Sequence, residues 1–116
     1  MQLHSFFNSS TSYRVRIALA LKGLPYDYVP VNIRNGAHRD ASYVERINPP
    51  ASVPALADGD LHLGQSRATT DNLDARHPDP RRSPADPEAR ARVLELSYAI
   101  ACDIHPVNNL RVLRYL

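Results

Sequence analysis

The sequence predicts an α/β domain followed by a helical segment. Three observations support this prediction. Short apolar runs alternate with helical patterns over residues 1–77, a proline-rich linker occupies residues 78–87, and apolar residues recur at helical spacing over residues 88–116. A chain of 116 residues is long enough for one domain, or for one domain and a fragment of another.

The first predicted strand and helix enclose a cluster of hydroxyl residues. We predict a strand at Leu3 to Phe7 and a helix from Ser12 or Tyr13 to Lys22, which Gly23 ends. The hydroxyl residues around the helix start are Ser9, Ser10, Thr11 and Ser12. The first N–H groups of a helix lack internal partners, so a thiolate, carboxylate or phosphate is favoured there. The alternative is that one hydroxyl only caps the helix, which contributes about 1 kcal/mol.

A second strand and a second helix follow. Tyr26 to Ile33 alternates as a strand does, and Pro30 confines it to an edge or a bulge. Asp40 to Ile47 is predicted as a short helix that ends before Pro49, because the residue before a proline is pushed out of the α region.

A hairpin and a third helix complete the predicted α/β domain. Residues 53–57 and 61–63 flank Asp58-Gly59-Asp60, which is a hairpin signal. A helix from Gln65 or Ser66 to about Arg76 has a weaker pattern, because most of its centre consists of poor helix formers. These residues are Thr69, Thr70, Asp71 and Asn72.

The last segment is predicted as one long helix. Asp86 is a suitable N-cap, and Pro87 suits the first helical position. An apolar stripe follows at Val93, Leu96, Ile100, Ile104, Val107 and Leu110. Because the sequence leaves no second helical layer to cover this stripe, we expect either a longer molecule or self-association.

Composition excludes several classes of protein. A hydrophobic content of 43% and a net charge of +2 suit a globular protein and give no reason to expect a nucleic-acid partner or an anionic membrane. No apolar run approaches the roughly 20 residues that span a bilayer, and the N-terminus has no secretion-signal pattern. Cys102 cannot form an internal disulfide, so we expect a cytoplasmic protein. The histidines lack the spacing of a metal site.

The sequence resembles the zeta-class glutathione transferases, whose members include maleylacetoacetate and maleylpyruvate isomerases. The matching segments are SSTSYRVRIAL, ALKGLPYDYVPV, NPPASVPAL, Gln65-Ser66, PADPEARARV and ACDIHPVNNLRVLRYL. The resemblance implies a thioredoxin-like N-terminal domain with a mixed four-stranded sheet at residues 1–77. It also implies that residues 88–116 are the first helix of an all-helical C-terminal domain and that the full-length protein is a homodimer.

The resemblance assigns a glutathione site to the first domain. Ser9 matches the serine that faces the glutathione sulfur, with Ser10 and Thr11 beside it. Val53 precedes Pro54, which is cis in this fold, so that the valine backbone pairs with the peptide of glutathione. Gln65 and Ser66 match the pair that holds the γ-glutamyl end, and His38 matches a loop residue near the glycine carboxylate.

Other implied roles concern a small acidic substrate. His105, Asn109 and Arg111 match polar residues that the helical domain presents to the sulfur pocket and to this substrate. Asn8 stands where the isomerases have an arginine that helps to bind a dicarboxylate.

The third helix also departs from the family, because polar residues replace side chains that family members bury. These residues are Arg67, Thr69, Thr70 and Asn72.

Three functional hypotheses follow. The first is a glutathione-dependent cis-trans isomerase of a small acidic diketo compound, and Arg111 favours it whereas Asn8 does not. The second is a generic glutathione transferase or dehalogenase that consumes the thiol. The third is a non-catalytic glutathione-binding protein or an inactive truncated family member, which the altered third helix favours.

Overall fold

The computed structural model describes residues 1–116, with the exception of the Leu110 side chain. The chain divides into two units, Met1–Pro80 and Arg81–Leu116. The first unit contains a four-stranded sheet in the order β2-β1-β3-β4. Its strands are β1 (Gln2–Ser5), β2 (Asp27–Pro30), β3 (Ala55–Asp58) and β4 (Leu61–Leu63).

The sheet is mixed, as predicted. β1 runs parallel to β2, with Gln2 opposite Asp27, and antiparallel to β3, with Leu3 opposite Leu56. β3 and β4 form the predicted antiparallel hairpin. Because β2 lies at an edge, Pro30 costs the sheet no central hydrogen bond, which confirms the predicted edge position.

Three helices of the first unit follow the predicted order. They are α1 (Ser10–Leu21), α2 (Ala41–Arg46) and α3 (Ser66–Arg76), and a turn of 3₁₀ helix (Ala37–Arg39) precedes α2. The predicted start of α1 was too late. Ser9 has extended backbone angles, φ −92° and ψ 122°, and its hydroxyl accepts a hydrogen bond from the Ser12 N–H, so Ser9 itself is the cap.

The predicted end of the first strand was also wrong. β1 stops at Ser5, because the Ser9 N–H bonds to the Phe6 carbonyl at 3.1 Å and closes a turn between the strand and α1. This early turn places Phe7 and Asn8 on the surface beside the start of α1.

Alternation along β1 separates two apolar clusters. Leu3 packs with side chains of α1 and α3, and the buried members of this cluster are Leu3, Val15, Leu19, Leu56 and Leu73. The neighbouring His4 makes an edge-to-face ring contact with Tyr43 of α2, with centroids 5.9 Å apart. Tyr43 belongs to the second cluster, together with Val31 and Ala55.

A buried ion pair joins the ends of α1 and α3. Lys22 Nζ lies 2.7 Å from Asp74 Oδ1, and both side chains are almost fully buried. The same ammonium donates to the carbonyls of His77 and Pro80 at 2.7 and 3.0 Å. All three protons of the lysine therefore have acceptors, which is what a buried ammonium requires.

The predicted third helix forms despite its polar sequence. Thr69 is 1% exposed, and its hydroxyl donates to the Gln65 carbonyl at 2.9 Å, so this buried polar group is satisfied. Arg67 lies half-buried, 3.7 Å from Asp71 on the next turn. Asn72 is less well accommodated, because its buried Oδ1 has no hydrogen-bond partner among the described residues.

The second unit corrects the prediction of one helix to the end of the chain. α4 (Pro87–Tyr98) begins as predicted, with Asp86 accepting from the Ala89 N–H at 2.8 Å. It continues as a π-helix over Ala99–Ile104 and is followed after a turn by the short α5 (Leu110–Leu113). Pro106 explains the break, because it lacks an N–H and its ring clashes with the carbonyl four residues earlier.

The predicted apolar stripe of the second unit is exposed. Its described members are Val93, Leu96, Ile100, Ile104 and Val107, and their exposed fractions range from 36% to 68%. The sixth predicted member, Leu110, has a side chain outside the described part of the structure. Among the described residues, no helix has both the length and the apolar character needed to cross a membrane.

Candidate glutathione site

The hydroxyl cluster at the start of α1 forms a short hydrogen-bonded chain. Ser9 Oγ lies 2.9 Å from Thr11 Oγ1, and Thr11 Oγ1 donates to the Val53 carbonyl oxygen at 3.1 Å. Ser9 Oγ also accepts from the Ser12 N–H at 3.2 Å. The predicted residues Ser9, Thr11 and Val53 are thus brought together, although Val53 is 42 positions from Thr11.

The direction of each hydrogen bond in this chain follows from elementary chemistry. The Val53 carbonyl can only accept, so the single hydroxyl hydrogen of Thr11 is given to it. Thr11 must then accept from Ser9, whose own hydrogen therefore points at Thr11. To stabilise a thiolate, the Ser9 hydrogen must turn from Thr11 to the sulfur, exchanging a neutral hydrogen bond for a stronger charge-assisted one.

Ser10 and Ser12 occupy opposite environments. Ser10 is exposed at the first position of α1. Ser12 is fully buried, and its hydroxyl oxygen has no hydrogen-bond partner among the described residues. Of the four hydroxyl residues in this cluster, Ser9, Ser10 and Thr11 can therefore present a hydroxyl toward solvent or a bound group, and Ser12 cannot.

Hydrogen bonds on both sides hold Val53 in the segment before β3. The Val53-Pro54 peptide bond is cis, as the resemblance implied. On one side Thr11 binds the Val53 carbonyl. On the other, the preceding residue, Ser52, accepts through its carbonyl from Tyr43 Oη at 2.7 Å and from Asn48 Nδ2 at 2.8 Å. The Val53 N–H has no partner in the described part of the chain, which leaves a backbone donor for a ligand.

Burial tunes the tyrosine that supports this segment. Tyr43 is 8% exposed, and burial raises the pKa of its hydroxyl to about 12. The hydroxyl therefore stays protonated in the physiological range and keeps donating to Ser52. This support was not predicted, because the sequence does not show which residue of α2 faces the segment before Pro54.

The start of α3 lies beside α1. Ser66 is 5% exposed, and its Oγ accepts from Arg14 Nη1 of α1 at 2.8 Å. Gln65 is the N-cap residue, is exposed, and makes no side-chain capping hydrogen bond. The first N–H groups of α3 thus remain available to an anion. The role of Arg14 was also missed, because the packing of α1 on α3 cannot be deduced from the spacing of Arg14 and Ser66.

An open depression of about 340 Å³ lies at the start of α1. Its lining residues are Phe7, Asn8, Ser9, Ser10, Tyr13 and Arg16. The predicted substrate residue Asn8 therefore borders the hydroxyl cluster. Arg16 adds a guanidinium to this rim and donates to the Phe7 carbonyl at 2.9 Å.

The other predicted site residues lie in separate elements. His38 is half-buried in the 3₁₀ turn before α2. His105 follows the π-helix of the second unit, and its backbone N–H bonds to the Ile100 carbonyl at 2.8 Å. Asn109 accepts from the Arg111 N–H at 2.9 Å and so caps α5, whereas the Arg111 side chain is exposed. The structure thus gives Asn109 a local role in folding.

Comparison with known proteins identifies the family. Residues 1–74 match the family described as glutathione S-transferase, N-terminal domain. A maleylpyruvate isomerase from a Ralstonia species is 44% identical over 116 residues, which cover 100% of this chain and 54% of the relative. The chain spans about half the length of the curated relatives it matches.

Solved structures agree with this assignment. The holo structure of a maleylpyruvate isomerase, described as a bacterial glutathione S-transferase in zeta class, has a TM-score of 0.94 and 44% identity, covering 100% of this chain and 54% of that one. The maleylacetoacetate isomerase of Methylobacterium extorquens AM1, with bound malonate and glutathione, has a TM-score of 0.84 and 38% identity, covering 97% and 52% respectively. These matches confirm the predicted resemblance and the thioredoxin-like fold. The chain belongs to the glutathione S-transferase N-terminal domain family.

Proposed function

We propose that this chain is the glutathione-binding part of a glutathione-dependent cis-trans isomerase. The proposed substrate is a small acidic diketo compound of the maleylacetoacetate or maleylpyruvate type. The main support is the hydrogen-bonded chain from Ser9 through Thr11 to Val53, which joins a helix N-terminus to a backbone segment with a free N–H. The names of the relatives support the reaction class.

We assign glutathione to three contact regions of the first unit. The Val53 backbone would pair with its central peptide, Gln65 and Ser66 would hold its γ-glutamyl end, and His38 would lie near its glycine carboxylate. The available donors fit such a ligand, since the Val53 N–H and the first turn of α3 have no acceptors in the described residues. Bound glutathione supplies a thiol whose thiolate adds reversibly to a cis double bond and so permits rotation.

Ser9 is the proposed thiol activator. A free thiol has a pKa near 8.5, and a hydroxyl donor at a helix N-terminus favours the charged form. The N-cap position of Ser9 places its hydroxyl at the positive end of α1. Thr11 would keep the Ser9 hydrogen oriented until the sulfur accepts it, and the exposed Ser10 is the remaining hydroxyl at the rim.

The resemblance supports the assignment of Asn8 in the first unit and of Arg111 in the second unit to the acidic substrate. Asn8 would offer an amide to a carboxylate where the isomerases have an arginine, and Arg111 would supply a positive charge. His105 and Asn109 are assigned to the sulfur pocket. Malonate, a small dicarboxylate, occupies the Methylobacterium relative together with glutathione, which is consistent with an acidic substrate here.

We also propose the organisation of the whole protein. Residues 1–77 would form the glutathione-binding domain, residues 78–87 the linker, and residues 88–116 the beginning of an all-helical domain. The resemblance supports a homodimer of the full-length protein, and the exposed apolar residues of α4 and the following π-helix are a surface that further helices or a partner would cover. Cys102, the single cysteine, is consistent with a cytoplasmic location.

The reaction is tested with maleylacetone as substrate on the longest protein that the gene encodes. Isomerisation should require glutathione, should leave its concentration unchanged, and should fail with S-methylglutathione, which has no free thiol. Stoichiometric consumption of glutathione would instead indicate a transferase. Glutathione binding without any turnover would indicate a non-catalytic binding protein, and either result would contradict the proposed reaction.

A further inference from the structure

Arg14 is a cation that has no carboxylate partner. Its guanidinium donates to Ser66 Oγ at 2.8 Å, and the side chain is half-buried between α1 and α3. Two other cations of the first unit, Lys22 and Arg76, are paired with Asp74 and Asp58. Among the described residues no ion pair involves Arg14, so its charge is uncompensated beside a buried hydroxyl.

The hydrogen bond from Arg14 sets the orientation of the Ser66 hydroxyl. Because the guanidinium can only donate, Ser66 Oγ is the acceptor and its own hydrogen remains to be given elsewhere. No described residue accepts that hydrogen. Ser66 is 5% exposed, so the position of this hydroxyl is fixed by its surroundings.

The first turn of α3 adds further donors at the same place. Gln65 gives no side-chain cap, and no acidic residue lies in the first turn. The N–H groups of the first turn have no partner within the helix and carry partial positive charge. The Arg14 guanidinium, the Ser66 hydroxyl hydrogen and the backbone N–H groups therefore all lie at the start of α3, and all of them are donors.

We propose that Arg14 is a positioning residue for the α-carboxylate at the γ-glutamyl end of glutathione. Arg14 holds the Ser66 hydroxyl so that its hydrogen is directed to this carboxylate, and it supplies the compensating positive charge. The inference rests on the proposed function, because it specifies how the Gln65-Ser66 region selects its ligand. A carboxylate at this point satisfies the donors that the protein itself leaves without an acceptor.

The test compares two ligands by calorimetric titration of the 116-residue chain. One ligand is glutathione, and the other is γ-aminobutyryl-cysteinylglycine, which is glutathione without that α-carboxylate. The wild-type chain should prefer glutathione by about ten- to a hundredfold, the range expected for hydrogen bonds to a charged group. Arg14→Gln should remove most of this preference, and Arg14→Lys should restore part of it.

The ratio of the affinities for the two ligands distinguishes a positioning role of Arg14 from general damage to the site. A purely structural role would weaken both ligands equally and leave the preference unchanged. Arg76→Gln is the matched control, because Arg76 lies at the other end of α3 and is paired with Asp58 at 2.6 Å. This control should keep the wild-type preference.

Each outcome has a distinct meaning. Loss of the preference in Arg14→Gln, with partial recovery in Arg14→Lys, supports the inference. An unchanged preference in both variants overturns it while leaving glutathione binding established. If Arg14→Gln does not fold, Arg14→Met takes its place, and a full wild-type preference in that uncharged variant contradicts the inference. If the wild-type chain binds neither ligand, the proposed function fails together with the inference.

Discussion

The Ser9 hydroxyl makes two hydrogen bonds that use different parts of the group. It caps α1 by accepting from the Ser12 N–H, and it donates its hydrogen to Thr11. Capping uses an oxygen lone pair and leaves the hydrogen free to turn, so a bound sulfur can receive it without unwinding the helix. Ser9 can therefore cap the helix and also stabilise a thiolate. The two roles, which were proposed as alternatives, are compatible.

Substitution of the three hydroxyl residues should separate their roles. Ser9→Ala should bind glutathione but lose about 10²- to 10³-fold in isomerisation rate, because one directed donor to a developing charge is removed. It should also lose about 0.5–2 kcal/mol of stability through the missing cap. Ser10→Ala should be nearly silent. The rates are measured with maleylacetone, and a larger loss in Ser10→Ala or Thr11→Val than in Ser9→Ala would contradict the assignment of Ser9.

His4 makes the stability of the first unit depend on pH. Burial, with a smaller contribution from the nearby His62, lowers the pKa of His4 from its ordinary value of 6.5. The unfolded chain therefore takes up a proton at His4 at a higher pH than the folded chain does. The contribution of His4 to stability is fully present above about pH 6.5, and it is lost as the pH falls from there toward the lowered pKa of the folded state.

Urea unfolding at pH 7.5 and at pH 5 measures this effect. The wild-type chain should be less stable at the lower pH, and His4→Leu should reduce that difference. His62→Gln should reduce it by a smaller amount, because it removes only the neighbouring charge. A pH dependence that is identical in His4→Leu and in the wild type would show that His4 does not contribute.

Gly64, just before α3, has no room for a side chain beside Asn48, which follows α2. A Cβ atom at Gly64 would overlap the side-chain amide of Asn48. Asn48 is 2% exposed and donates to both the carbonyl and the hydroxyl of Ser52, next to Val53. The glycine before Gln65 thus lets the loop after β4 approach the loop that presents Val53.

Gly64→Ala should therefore affect stability and ligand binding together. Displacing Asn48 should cost about 1–3 kcal/mol of unfolding free energy, as overpacking does, and should weaken glutathione binding through Ser52 and Val53. Gly59→Ala in the hairpin turn is the control. Its φ of 61° makes alanine costly, so stability should fall, but its Cβ would contact nothing, so glutathione affinity should not change. A Gly64→Ala variant with wild-type stability and affinity would refute this account.

Local signals in the sequence predicted the order of the elements well. Asp86 and Pro87 marked the start of α4, and Pro30 marked an edge strand. The ends of elements were predicted less well, because β1 ends at a turn closed by the Ser9 N–H and α4 is interrupted before Pro106. Such boundaries depend on hydrogen bonds between neighbouring segments, which a pattern of residue types does not specify.

The candidate site could be predicted only in part. The resemblance named Ser9, Val53 and Ser66, each of which the structure places in a polar contact or at a backbone donor. It did not name Arg14, which donates to Ser66, or Tyr43, which donates to Ser52 beside Val53. Their contributions depend on how α1 packs on α3 and how α2 packs on the sheet, and these contacts join residues far apart in the chain.

The chain as a whole combines a well-packed first unit with a second unit that has an exposed apolar face. The first unit has two apolar clusters, whereas the large apolar side chains of α4 and its continuation are exposed. The first unit carries all the residues assigned to glutathione except His105 and Asn109. Glutathione binding is therefore expected from the 116-residue chain, even though its relatives are about twice as long.

The central claim is that Val53, Gln65 and Ser66 bind glutathione, and amide NMR of the chain titrated with glutathione tests it most directly. At millimolar ligand, the largest shifts should occur at the Val53 amide and in the first turn of α3, with smaller shifts at Ser9 to Thr11. Ser66→Ala should reduce the affinity without moving the site. The absence of shifts at millimolar glutathione, or shifts confined to residues outside these segments, would contradict the claim.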